Sequence, residues 1–192
     1  MEFYDEKILE MRREKERKKY TTLETGIYVG DELITFRQMV LPDIHISIYL
    51  PERFVPMPEI VKNAKYPSRN APDYLFTSLD SMVNFGFSRL PVAVEDGDIK
   101  AMARQFRNAL RNVNPAIKIK NRLDDGVTSQ GNELCRFDFR GYALDGQSYN
   151  RMYLIRLRRA VLHGVFNCPD RNAEDWKDIV ELCFMTVEEK EA

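Results

Sequence analysis

The chain predicts an α+β fold in which an antiparallel β-sheet is covered by amphipathic helices. Three features carry that expectation. Residues 132–169 hold three strand-like runs in succession, the first two separated by a turn signal at Asp145-Gly146. Asp98 to Val113 and Asn172 to Thr186 each space their apolar residues at helical period. Between Gly26 and Leu90, short apolar runs are closed off by prolines. A chain of 192 residues with 44% hydrophobic and 11% aromatic residues has enough apolar surface to bury one core, which a disordered chain does not.

Residues 5–19 read as a very polar helix whose only apolar side chains are Ile8, Leu9 and Met11. Glu14 and Lys18 are ordered for local support. Residues 1–20 are therefore set apart as a charged helical extension, which frays or docks, from a single domain over 21–192. Gly26 to Gly30 is the first strand expected, Glu32 to Leu41 the second and Asp43 to Leu50 the third. In the third, Ile44, Ile46, Ile48 and Leu50 face one way and Asp43, His45, Ser47 and Tyr49 the other. Pro42 separates it from its predecessor and Pro51 stops it.

Pro56, Pro58, Pro67 and Pro72 punctuate the next segment, leaving Glu59 to Lys65 as two helical turns with Pro58 suited to the first. Asp73 to Thr77 and Met82 to Leu90 then form a strand pair. In the helix from Asp98 to Val113, Ile99, Met102, Phe106, Leu110 and Val113 make the apolar stripe. Asp96 or Asp98 can cap its start. Ile117 to Leu123 reads as a strand and Asp124-Asp125-Gly126 as a hairpin turn. The meander strands follow at about Glu133 to Leu144, Ser148 to Arg158 and Val161 to Asn167. The closing helix starts at Asn172, a natural cap, and buries Trp176, Ile179, Val180, Cys183 and Phe184.

Compartment and chemistry are constrained mainly by what the residues lack. Cys135, Cys168 and Cys183 are odd in number and far apart, so neither a disulfide framework nor a zinc knuckle is indicated. The charged N-terminus lacks a signal-peptide core, and no run approaches the ~20 apolar residues of a membrane span. A cytoplasmic protein with no membrane association is expected. No phosphate-binding glycine motif, metal motif or cofactor signature occurs, so no cofactor and no metal site are assigned.

Two nucleophile-histidine sets invite attention. Asp43, His45 and Ser47 share one face, yet i and i+2 neighbours on a strand lie about 6.5 Å apart with parallel side chains, too far for proton relay. His163 and Cys168, five apart, fall on opposite faces. No catalytic residue is assigned.

Charge is the more informative property. Net charge is −1, but residues 100–122 hold seven Lys/Arg and no acid, whereas residues 170–192 hold eight acids against three bases. Lys100, Arg104, Arg107 and Arg111 step by four, three and four along the helix and form one basic line, a candidate docking stripe for acidic groups of a protein partner. Arg136, Arg140, Arg151, Arg156, Arg158 and Arg159 add positive charge from the meander. The absence of a nucleic-acid-binding motif and a pI of about 6.2 disfavour nucleic acid.

With the elements in order, a family resemblance emerges. Tyr-Leu-Pro-Glu-Arg-Phe (Tyr49 to Phe54) leads to Lys-Tyr-Pro (Lys65 to Pro67). Asn-Phe-Gly-Phe (Asn84 to Phe87), Phe-Asn-Cys-Pro (Phe166 to Pro169) and a closing helix begun by Ala173-Glu-Asp-Trp176 follow. Over about residues 22–186 the chain resembles the Mog/PsbP-like fold, including its bacterial DcrB-like branch. The resemblance implies an α/β/α sandwich and a mostly non-enzymatic role. Some members bind a small GTPase, some dock on photosystem assemblies and some act as secretion-associated chaperones.

The expected function is a non-catalytic protein-interaction module, an adaptor or secretion-associated chaperone. Its partner would be another protein, offering an acidic or apolar segment to an exposed sheet face or to the basic stripe; a homodimer is a further option. The alternatives are a small enzyme whose site gathers distant residues, such as His163 with a carboxylate, and a nucleic-acid-binding protein. A cleft holding a histidine beside a carboxylate would favour the enzyme, and a shallow apolar groove the interaction module.

Overall fold

The computed structural model of the chain describes residues 2–66, 71–120, 122–143 and 146–190. Helix α1 (Glu2–Arg17) leads into a three-stranded meander of β1 (Thr21–Thr22), β2 (Gly26–Val29) and β3 (Glu32–Ile34). Next come β4 (Phe36–Leu41), β5 (Ile46–Pro51), β6 (Val55–Pro56) and α2 (Glu59–Lys65). Strands β7 (Tyr74–Thr77) and β8 (Asn84–Leu90) precede α3 (Ile99–Val113), β9 (Lys118–Ile119) and β10 (Asp124–Val127). The long strands β11 (Glu133–Ala143), β12 (Gly146–Arg156) and β13 (Val161–Pro169) follow, then α4 (Ala173–Met185) and β14 (Glu188–Glu189).

The main sheet is antiparallel throughout, in the order β10-β11-β12-β13-β8-β7-β6, with β9 sharing the outer edge of β11. A smaller sheet, β14-β5-β4, joins the end of the chain to its first third. Register explains the layers. His163 pairs with Leu154, and Gly164 with Tyr153, so alternate residues of β13 serve opposite faces.

One face carries α3. Ile99 and Ala103 are buried against Cys135, Leu154 and Val161, and Phe106 and Leu110 pack on Phe137, Phe139 and Met152. Farther along that face lies a polar ladder. Thr77 donates to the Asn84 side-chain Oδ1 (2.7 Å), the Asn84 amide nitrogen to Asn167 Oδ1 (2.7 Å), and the Asn167 amide nitrogen to the Tyr66 hydroxyl (2.8 Å). The opposite face carries α4 and the small sheet, over a core that includes Ile46, Ile48, Phe85, Phe87, Phe166 and Phe184. Burying each large apolar side chain there contributes about 1.5–3 kcal/mol. Both faces of the sheet are thus covered, which removes the exposed face expected as a docking surface.

The elements with strong periodicity match the sequence expectation: α2, α3, α4 and the strands from β7 to β13 other than β9 and β10. Differences arise where local chemistry overrides pattern. The second strand splits at Thr35, whose hydroxyl donates to Glu52 (2.8 Å) and whose carbonyl accepts from Glu52 N–H (2.9 Å), so β3 stays with β2 while β4 turns to β5. Pro42 starts a 3-10 turn through Ile44, and His45 is left-handed (φ 51°), so β5 starts only at Ile46. Asp124-Asp125-Gly126 is strand β10, registered on β11, and the turn falls at Thr128–Asn132. There the Thr128 hydroxyl accepts from the Gln130 and Asn132 N–H groups and Gly131 has φ 79°. Strand β9 is shorter than expected.

Val113 is 84% exposed and leaves the apolar stripe of α3, whereas Ala103, outside the expected stripe, is fully buried near the start of the helix. Neither Asp98 nor Asn172 caps through its side chain. The N–H of Gly97 is instead bound by the Glu133 carboxylate at 3.0 and 3.1 Å. The expected turn residue Asp145 and the motif residue Pro67 lie outside the described residues.

Candidate functional site

Helix α3 holds all four residues of the expected basic stripe, but they do not face the same surroundings. Lys100 reaches sideways to Asp125 on β10, and that contact holds the Asp125 carboxyl below the usual range. Arg104 and Arg111 are exposed and Arg107 is half-buried. Lys118 on β9 is also exposed nearby in the chain.

The meander arginines are largely spent within the molecule. Arg151 grips Asp138 with two nitrogens (2.7 and 3.3 Å) and donates to the Lys177 carbonyl (3.0 Å). Arg136 pairs with Glu181 (2.9 Å), which also accepts from the Tyr153 hydroxyl (3.0 Å). Arg140 pairs with Asp170 (2.6 Å) and Arg156 with Asp96. Burial opposes the charge on Asp138, yet Arg151 outweighs it and its carboxyl stays below the ordinary value. These contacts pin α4 to the sheet. Only Arg158 and Arg159, in the turn between β12 and β13, remain exposed among the six.

The nucleophile sets are dispersed. Asp43 accepts from the Tyr74 hydroxyl, and the His45 carbonyl accepts from Lys190 N–H (2.8 Å). Ser47 is buried, accepting from Gln38 (3.1 Å) and donating to Glu188 (3.3 Å), so it is a bridge between strands and not part of a solvated strand face. His163 lies under α3 with its ring 5.4 Å from that of Phe106. Burial lowers its pKa to about 4, and its Nε2 has no hydrogen-bond partner among the described residues. Cys168 sits in the core on the other face, and burial pushes its thiol up to about 12. Cys135 is likewise raised to about 12, and fully buried Cys183 is raised as well. Among the described residues no cluster of three His, Cys, Asp or Glu is placed to hold a metal.

A groove that the sequence did not reveal opens beside α4. It has a volume of about 440 Å³ and an apolar floor of Leu33, Ile34, Phe54, Val83 and Trp176. Arg53 and Glu32 form an ion pair on its rim (2.7 Å). Across from them, Leu79 is 76% exposed in the loop between β7 and β8. That loop is shaped by Asp80, which accepts from the Ser78 hydroxyl (2.5 Å) and Met82 N–H (3.0 Å). Burial opposes the Asp80 charge, but those bonds keep its carboxyl low. The one available signal was Leu79 itself, an apolar residue within Ser-Leu-Asp-Ser. Neither histidine lines this groove.

No family model matches the chain, and no curated protein matches it. Solved structures match its fold. The solution structure of cyanobacterial PsbP (CyanoP) from Synechocystis sp. PCC 6803 aligns at a TM-score of 0.61 and 8% identity, over 85% of this chain and 98% of that one. LpqN, involved in cell envelope biogenesis of Mycobacterium tuberculosis, aligns at 0.52 and 12% identity, over 90% and 99%. A Bacteroides thetaiotaomicron protein aligns at 0.52 and 11% identity, over 81% of this chain and 48% of that one. At such identities the likeness is one of fold. No helix among the described residues is long and apolar enough to cross a membrane.

Proposed function

On this PsbP-like α/β/α fold, we propose a non-catalytic protein-interaction module, an adaptor or chaperone, that takes an apolar segment of another protein into the groove between β3, the β7–β8 loop and α4. The observation that carries this reading is the groove's composition. An apolar floor ending at an exposed leucine, rimmed by charges of both signs, is suited to holding side chains and orienting their backbone. Histidine is missing from its lining, and the buried thiols are held in the unreactive protonated form. The stripe of Lys100, Arg104, Arg107 and Arg111 is proposed as a second surface, for acidic segments. The cytoplasm is the compartment we propose, on the cysteine pattern.

The chain's single tryptophan, Trp176, lines the groove and serves as its reporter. Peptides selected from a random library against the folded protein are expected to share an apolar centre and to shift Trp176 emission. Leu79→Asp should weaken these by about tenfold, the cost of one lost apolar anchor. Arg104→Glu with Arg107→Glu should weaken acidic peptides instead, most at low salt. Apolar peptides that leave Trp176 emission and the Leu79→Asp variant unaffected would overturn the groove assignment.

A further inference from the structure

We infer that α1 is an exchange arm by which two copies of this chain pair, each seating its helix in a cleft between β2 and α4 of the other. The inference is independent of the groove reading, because it uses a different surface. Residues 6–16 of α1 are all exposed, Ile8, Leu9 and Met11 among them. A helix of 16 residues in a protein draws most of its stability from packing and little from propensity.

The cleft holds about 490 Å³ and is lined on one side by Ile27 and Tyr28, on the other by α4. Along α4, Asp175, Asp178 and Leu182 line it at steps of three and four. Along α1, Ile8, Arg12 and Lys15 step by four and three. Laid antiparallel, the two rows coincide: Ile8 meets Leu182, Arg12 meets Asp178 and Lys15 meets Asp175, over about 10 Å of helix. One apolar contact is followed by two opposite-charge contacts in register.

The helix does not fill its own cleft. Arg17 and Tyr20 line the cleft where α1 departs. Arg17 donates to Asp31 and lies 5.2 Å over the Tyr28 ring, which directs α1 outward. Reciprocal exchange about a twofold axis keeps both contacts and uses each cleft once.

Sedimentation velocity at low salt tests this with the full chain. Wild type is expected to dimerise below about 100 µM. Arg12→Glu with Lys15→Glu should be monomeric at that concentration, and so should Asp175→Lys with Asp178→Lys. Mixing the two variants should restore a dimer, since each reversed helix then meets a reversed cleft. A wild type that stays monomeric, variants that dimerise as well as wild type, or a mixture that stays monomeric would each overturn the exchange. Circular dichroism of each variant separates lost pairing from lost folding.

Discussion

Gly164 and Phe184 show how one missing side chain sets the spacing of two layers. A Cβ built on Gly164 would lie 2.2 Å from Phe184 Cε1. Phe184 has nowhere to retreat, being fully buried and stacked on Tyr153 with centroids 3.9 Å apart. Gly164→Ala is therefore expected to lower stability by about 1–3 kcal/mol in urea titrations, the usual cost of overpacking. Gly126→Ala, whose Cβ would meet Leu134 at 3.6 Å, should change far less and is the control. Much at this scale was legible in the sequence. Alternation placed His163 and Cys168 on opposite faces, and helical period picked out Trp176, Ile179, Val180, Cys183 and Phe184 as the buried row of α4. The role of Gly164 was not, because nothing local in the chain says that Phe184, twenty positions on, lies above it.

Elements hold together here through pairs that are remote in sequence, and that is where pattern reading stops. Arg151 and Asp138 face each other because β11 and β12 pair in register, and Glu181 joins them from α4. A list of arginines reads as positive charge; the register makes most of them internal ties. Arg151→Met is expected to destabilise by about 3 kcal/mol, since Asp138 is left mostly buried without its strongest partner, the Lys120 ammonium lying 3.7 Å away. Adding Asp138→Leu should recover most of that loss, because a matched apolar pair avoids the stranded charge. A double-mutant cycle by chemical denaturation measures both steps. Strand boundaries were misread for a related reason. Thr35 breaks a continuous strand-like run through its bonds to Glu52, and β10 exists because β11 offers an edge to a segment whose own residues favour a turn.

For the whole molecule, the α+β class, the two covering helices and the PsbP-like order of elements were all readable, since they depend on periodicities of two and 3.6 that survive without context. The groove was not readable, because its walls come from β3, a loop and α4, which only the folded chain brings together. A global consequence follows from the histidine beneath α3. Folding depresses the His163 pKa from 6.5 to about 4, so below pH 6.5 the unfolded chain takes up a proton that the native chain refuses. Stability should be level between that pH and about 8, below the range where the raised thiols matter, fall as pH drops from 6.5 toward 4, and lose up to about 3 kcal/mol over that lower window. Asp80, Asp125 and Asp138, whose carboxyls are lowered, act only at more acidic pH. Denaturant midpoints measured across the window check this, and His163→Leu should flatten the slope.

The placement of the three sulfhydryl groups has a practical outcome. All of them are sealed inside, one beneath α3 and two on the α4 side, so a water-soluble alkylating reagent meets sulfur only in molecules that have come apart. Cys183 at the centre and Cys135 nearer the β10 edge then act as two clocks, and the ratio of their labelling rates reports which layer lets go first.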